Sequence, residues 1–272
     1  MVGFLVSQEM PISDIRALSV DCTKSAFERR LRQEIFKRTI GEAMPNPTER
    51  EVIKESVANQ LEELSYPSNQ GSIRSVLLLF NLATLLQNQR SNLRFQFDSF
   101  KCARWDIEHI RSVTDDRPER HHERVRWLRN ALGYLESQGA EQPLQQAIQG
   151  FLQHSQAEAA NEIFDPLYNR TLEYFDEANA GSAEHGISNL TLLDEGTNRS
   201  YKNAVFAVKR QRLLELDQAG IFVPLCTRNV FLKCYSPLVD NLMFWSESDR
   251  GGYVSAITEV LANFFCGNME SP

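Results

Sequence analysis

The chain has 272 residues, 42% of them hydrophobic, which is enough for one large domain or two small ones with a true core and excludes a disordered polymer. Its 29 Lys and Arg stand against 36 Asp and Glu, a net charge of -7, so no long-range field draws the molecule to phosphate backbones and any nucleic-acid contact must rest on local basic patches or on a partner. The five cysteines form neither a CxxC pair nor a zinc-type spacing, the apolar opening MVGFLV lacks a basic leader, and the longest apolar run, VLLLFNLATLL, is too short to span a bilayer; a cytoplasmic protein with reduced thiols and no membrane partner is expected.

In chain order, residues 24–41 place Phe27, Leu31, Ile35 and Phe36 at helical spacing, and Gly41 stops the pattern. Residues 45–64 open with Thr48 followed by Glu51, a capping signal, and carry Val52, Ile53, Val57 and Leu61 on one side. Residues 72–90 are apolar on most sides and predict a central buried helix. From residue 94 the aromatic-rich LRFQFDSFKCARWDIEHI alternates as a hairpin of two short strands would, with Asp98-Ser99 near its turn. Helical patterns return over 119–180, through Val125, Leu128, Leu132 and Leu135, then Leu144, Ile148, Phe151 and Leu152, then Ile163, Leu167, Leu172 and Phe175. NAGSAEHG (179–186) has the composition of a loop, ISNLTLL resumes an extended run, and helices are expected from about Arg199 through Phe206 and over 209–218. The tail holds a stretch of mixed character, FVPLCTRNVFLKCY, and a last helix over 252–265.

Two segments carry chemistry: WDIEHI at 105–110 and NLTLLDEGTN at 189–198. A one-metal phosphodiester hydrolase needs a general base, hard oxygen ligands, a group that orients the base and a cation facing the phosphate. His109 is the natural base, because a neutral imidazole accepts a proton from water near working pH. Glu108 supplies a carboxylate and Asn198 an amide oxygen, an oxygen-only set suited to Mg²⁺ or Mn²⁺ rather than Zn²⁺. In a regular strand Glu108 and His109 face opposite ways, so the pair is useful only where the strand ends and the backbone turns. Lys202, one helical turn beyond Asn198, is placed to meet the phosphate, and Asn189 has the donors and acceptor to hold the loop or ring carrying His109. Taken singly each has a plain reading: a structural His beside Glu, a capped apolar run, an N-cap Asn. Their order, spacing and β-β-α pattern agree jointly with the catalytic one.

These segments resemble the HNH, or His-Me finger, nucleases, whose motif runs acid-His-Ile, then Asn-Leu, then His or Asn nine residues after that Asn. The closer likeness is to the C-terminal domain of the GmrSD family of modification-dependent restriction endonucleases, through WDIEHI, the NLTLLD, TNRSYKNAVF and KR segments of 189–210, and IFVPLCTRNVFLKCYS at 221–236. Glu108 stands where many relatives have Asp, and the Pro that often follows the His-Ile pair is absent. The resemblance implies a mainly α protein with a small β-β-α-metal core over 94–272, interrupted by a helical insertion at about 111–186, and residues 1–93 as a helical connector. It also implies DNA, foreign or modified, as substrate, a Mg²⁺ or Mn²⁺ cofactor, and a nucleotide-hydrolysing GmrSD-like N-terminal domain or separate subunit as partner.

Around this set, Lys209 and Arg210 are candidate phosphate-binding cations, and Arg120, His121 and His122 make a basic spot where the insertion begins; solvated helix faces are the competing reading. Asp106 is a surface carboxylate or lies behind the metal ligands. A second class of function stays open, a catalytically idle helical adaptor that keeps the finger only as a fold.

Overall fold

The computed structural model describes residues 1–41, 43–45, 49–88, 92–102, 105–112, 117–154, 160–175, 185–196, 204–237 and 242–267. The chain opens with five helices: α1 (Val2–Ser7), α2 (Ile12–Ala17), α3 (Lys24–Ile40), α4 (Arg50–Glu63) and α5 (Gln70–Gln87). Helix α3 begins where the Thr23 hydroxyl accepts from the Ala26 amide at 3.2 Å, and ends at Gly41, whose left-handed φ of 88° suits a residue without Cβ. Helix α4 starts at Arg50 with no side-chain cap, and Thr48 lies outside the described residues. Helix α5 is buried along its apolar length, Val76 to Phe80 included, and packs against both strands of the sheet and the last helix.

The hairpin expected over 94–110 does not form. Phe97–Cys102 is a short helix, α6, and the strand that follows it, β1 (Trp105–His109), pairs antiparallel with the distant β2 (Leu190–Asp194), in register from Trp105 opposite Asp194 to His109 opposite Leu190. The aromatic spacing that mimics a strand serves a local cluster instead: Phe95 meets the rings of Phe97, Phe100 and Phe222, and Phe100 stacks on Trp105 at 5.4 Å.

Between the strands the chain passes through α7 (His121–Gln138), α8 (Gln142–His154) and α9 (Ala160–Tyr174), which bury a core of their own around Trp127, Leu128, Leu135, Ile148 and Phe164. In α9 it is Phe164 that is buried, while Ile163 is 50% exposed. The helix expected from Arg199 falls largely outside the described residues; Ala204 and Val205 are not helical, and α10 (Phe206–Gln218) runs unbroken from Phe206. Ala204, Val205, Ala207 and Val208 complete the core of the inserted helices, so the start of α10 is where that core meets the sheet.

The tail of mixed character contains α11 (Leu225–Phe231), whose Cys226 amide is capped at 2.8 Å by Asn81 of α5, and α12 (Glu247–Cys266), which starts before the expected Gly252 behind a reciprocal Ser246–Asp249 cap. Strand β2 has its outer carbonyls satisfied by side chains: Tyr253 donates to Leu190 at 3.1 Å and Thr227 to Leu192 at 2.5 Å. One hydrophobic cluster joins Phe4, α3, α4, α5, both strands and α12, so the division expected at residue 93 coincides with no break in the core. No helix among the described residues is long and apolar enough to cross a membrane.

Candidate active site

His109 is the last residue of β1, and the chain bends away at Ile110. Asn189, in a short 3-10 turn just before β2, fixes that bend from three atoms. Its carbonyl accepts from the Ile110 amide at 2.8 Å, its side-chain oxygen accepts from the Arg111 amide at 2.8 Å, and its side-chain nitrogen donates to the Arg111 carbonyl at 3.0 Å. Asn189 is 1% exposed, so both ends of the amide are spent on backbone groups that would otherwise be buried without partners. Ser112 extends the anchorage by donating to the Ala204 carbonyl at the start of α10. Asn189 thus ties the backbone that follows His109 to the turn before β2.

The imidazole of His109 is 8% exposed and sits edge-on to two rings, Tyr66 at 5.1 Å and His185 at 5.6 Å. Its Nε2 is buried and makes no hydrogen bond, nor does Nδ1 of His185. Burial first, then the ammonium of Lys209 and the ring of His185, push the His109 pKa from 6.5 down to about 3. The ring is therefore neutral, and its Nε2 carries a lone pair or an N–H that no hydrogen bond uses.

Glu108, one residue earlier, is 6% exposed, and its carboxylate meets the Lys209 ammonium at 2.6 Å. The same ammonium donates to the His109 carbonyl at 2.6 Å. Lys209, expected as a phosphate-binding cation on the surface of its helix, is 3% exposed and grips both residues of the candidate pair from α10. It faces inward because its own helix turn, from Phe206 to Val208, is embedded in core on either side. Arg210 is half-buried and points elsewhere: it lines a cavity of about 530 Å³ with Tyr134, Gln138, Tyr174 and Glu215. Asp106 is half-buried, and the backbone amide of Ile107 donates to its carboxylate at 2.8 Å.

The structure thus brings together Glu108, His109, Asn189 and Lys209, from β1, the turn before β2 and α10. Asn198 and Lys202 lie outside the described residues. Among the described residues no three His, Cys, Asp or Glu side chains gather as a metal cage, so a cation here would rest on the Glu108 carboxylate and the amide oxygen expected of Asn198. The donor chemistry fits a hard divalent ion, with one qualification built into the site: Lys209 already neutralises the carboxylate, and an arriving cation shares it or displaces the ammonium. Sequence reasoning did not find Tyr66 and His185. Both come from segments without a motif, Tyr66 beyond α4 and His185 in the loop before β2, brought together by the Ser65–Gly186 bridge and the Tyr66 amide donating to the His185 carbonyl at 2.9 Å.

The family model described as GmrSD restriction endonucleases, C-terminal domain, matches residues 51–223, more than half of the chain. The match takes in α4 and α5 as well as both strands and the inserted helices, and stops short of α11. No curated protein and no solved structure matches.

Proposed function

The chain belongs to the family of GmrSD restriction endonuclease C-terminal domains, and from that membership we propose that it is a divalent-metal-dependent DNA endonuclease or nickase of the HNH, or His-Me finger, type. The observation that supports the reading most is an imidazole whose Nε2 no hydrogen bond uses, at the end of a strand and next in sequence to a buried carboxylate. In this reading β1, β2 and α10 form the β-β-α core, and α7 to α9 are its insertion.

His109 takes the proton from the attacking water, and Asn189 keeps the backbone behind it from shifting. Glu108 and Asn198 would hold Mg²⁺ or Mn²⁺, which would supply Lewis-acid stabilisation of the charge that develops during hydrolysis. The contact to the scissile phosphate is assigned to Lys202 on its sequence spacing from Asn198. Lys209 has its ammonium committed to Glu108 and the His109 carbonyl, so contact with more distant phosphates passes to Arg210. Cleavage leaves a 5′ phosphate and a 3′ hydroxyl. The protein works in restriction of foreign or modified DNA in the cytoplasm, with a nucleotide-hydrolysing partner domain or subunit.

The test is conversion of supercoiled plasmid to open-circle or linear DNA in Mg²⁺ or Mn²⁺, lost with chelator and lost in His109→Ala. Undiminished cleavage by His109→Ala would exclude His109 as the base. The neutralised state of Glu108 favours a second reading, an idle adaptor that keeps the fold while the lysine stands in for the metal. That reading expects no rise in melting temperature with Mn²⁺, whereas an operating site gives a rise that Glu108→Gln removes.

A further inference from the structure

Helix α7 carries a row of basic residues on its exposed face, two of them arginines without an ion pair among the described residues. His122, Arg126 and Arg129 follow at spacings of four and three, so they line one side of the helix over about 10 Å of its axis. All three are exposed, and among the described residues neither arginine makes a salt bridge or a hydrogen bond. Three other basic residues of this region, Arg117, Arg124 and His121, turn toward the protein. Arg117 pairs with Asp165 and covers Tyr168, Arg124 donates to the Pro118 carbonyl and lies over Phe164, and the His121 ring turns toward Phe151. The nearby carboxylates accept from amides, Glu123 from the Arg120 backbone at the helix start and Glu136 from Gln149, and among the described residues neither forms an ion pair with Arg126 or Arg129. Two arginines three residues apart repel one another, a small standing cost that an anion would remove.

The stripe also has a direction. Ser137 lies about 20° around the helix from Arg126 and lines the cavity into which Arg210 projects. The only acidic side chain among the described residues of that cavity, Glu215, is taken by Arg212 at 2.9 Å, which leaves Arg210 as its uncompensated charge. Arg210 follows directly on Lys209, which grips Glu108. The face of α7 that carries Arg126 and Arg129 thus leads, through Ser137, to the cavity lined by Arg210 of the helix that carries the candidate site, on a chain whose net charge is -7.

We propose that this face of α7, together with Arg210, binds the sugar-phosphate backbone of duplex DNA and holds it against the site; the proposal rests on the nuclease reading for the choice of DNA. An acidic molecule has no general attraction for DNA, so whatever contact the chain itself makes must come from local basic patches such as this one.

The test uses the full chain carrying His109→Ala, a fluorescent DNA duplex and EDTA, with affinity measured over a series of salt concentrations. Arg126→Glu with Arg129→Glu is expected to weaken binding by about tenfold or more and to reduce the slope of log affinity against log salt by about two, and Arg210→Ala by about one. The pair Lys24→Glu with Arg29→Glu, exposed on α3, makes the same change in net charge elsewhere and is expected to leave the slope unaltered. Arg126→Gln with Arg129→Gln, checked by circular dichroism, repeats the test without charge reversal. Equal effects from the α3 and α7 pairs, an absence of salt-dependent duplex binding, or a preference for RNA of the same sequence would overturn the proposal. Loss of binding in the α7 variants of a chain that never cleaves plasmid would sink the nuclease reading and leave this surface standing; cleavage and binding untouched by the α7 changes would do the reverse.

Discussion

Lys209 shows why a residue's type and spacing under-determine its role. On a helical wheel it is one of several cations in KRQR, yet its side chain enters the protein and neutralises a carboxylate that burial would otherwise penalise. Lys209→Met is therefore expected to destabilise the protein by about 3–5 kcal/mol, because it removes the buried cation that neutralises the Glu108 carboxylate. Glu108→Gln added to it is expected to recover a large part of that loss, as urea unfolding of the four proteins would show. His109 gives a second expectation. Its folded pKa, about 3, lies below the unfolded value near 6.5, so as pH falls the unfolded chain takes up the proton first. The stability involved is fully present above pH 6.5 and is lost progressively down toward pH 3. At pH 5 in chelator the protein should have lost about 2 kcal/mol more than a His109→Gln variant, measured against pH 7. Equal losses in the two would show that the ring is not buried as described.

At the scale of elements, the site depends on how the tail closes over the sheet. Asp249 caps α12 and receives the buried Lys233 ammonium at 2.7 Å; burial alone would raise its pKa, but Lys233, Ser236 and Ser246 together hold it below the usual range. That junction draws the 233–237 segment against α12 where Gly252 faces the Tyr235 carbonyl and the Pro237 ring, and a Cβ on Gly252 would collide with both. Gly252→Ala is expected to cost about 1–3 kcal/mol by overpacking, against the few tenths gained where a helical glycine is free of neighbours, as at Gly133. Thermal melts of the two variants should move in opposite directions. Since Tyr253, the next residue, caps the outer edge of β2, loosening here is expected to reach the strand that follows Asn189.

For the whole molecule, the two hydrophobic clusters divide the work. The first spans the chain from Phe4 to Phe265 and carries the strands, whereas the second belongs to the inserted helices and reaches the first through the start of α10. A chain begun at residue 94 would lose α3, α4 and α5 and expose the faces of both strands and of α12 that they cover. It is expected to aggregate or to unfold without a cooperative transition, read by circular dichroism and size-exclusion chromatography. Cooperative melting of that fragment would establish the connector as separable. By contrast, replacing residues 117–175 with a short linker removes most of the second cluster and none of the residues of the first, and the remainder should keep a cooperative melt.

Much of this was readable from the amino-acid order. The helices at 24–41 and 72–90, the inserted helices and the two motif segments announce themselves by apolar period and by residue type, because those signals are local. An amide just before an extended run also has a limited set of uses, which made Asn189 a candidate anchor for a neighbouring loop. Only the tertiary structure decided which strand pairs with β1, because pairing across the inserted helices is a long-range choice that the aromatic pattern of 94–100 counterfeits locally. It likewise decided that Lys209 points inward and Arg210 does not, and that Tyr66 and His185 close around His109. Charge and ring contacts between segments far apart in the chain leave no mark in either segment, and they exist only once the core has fixed where each one lies.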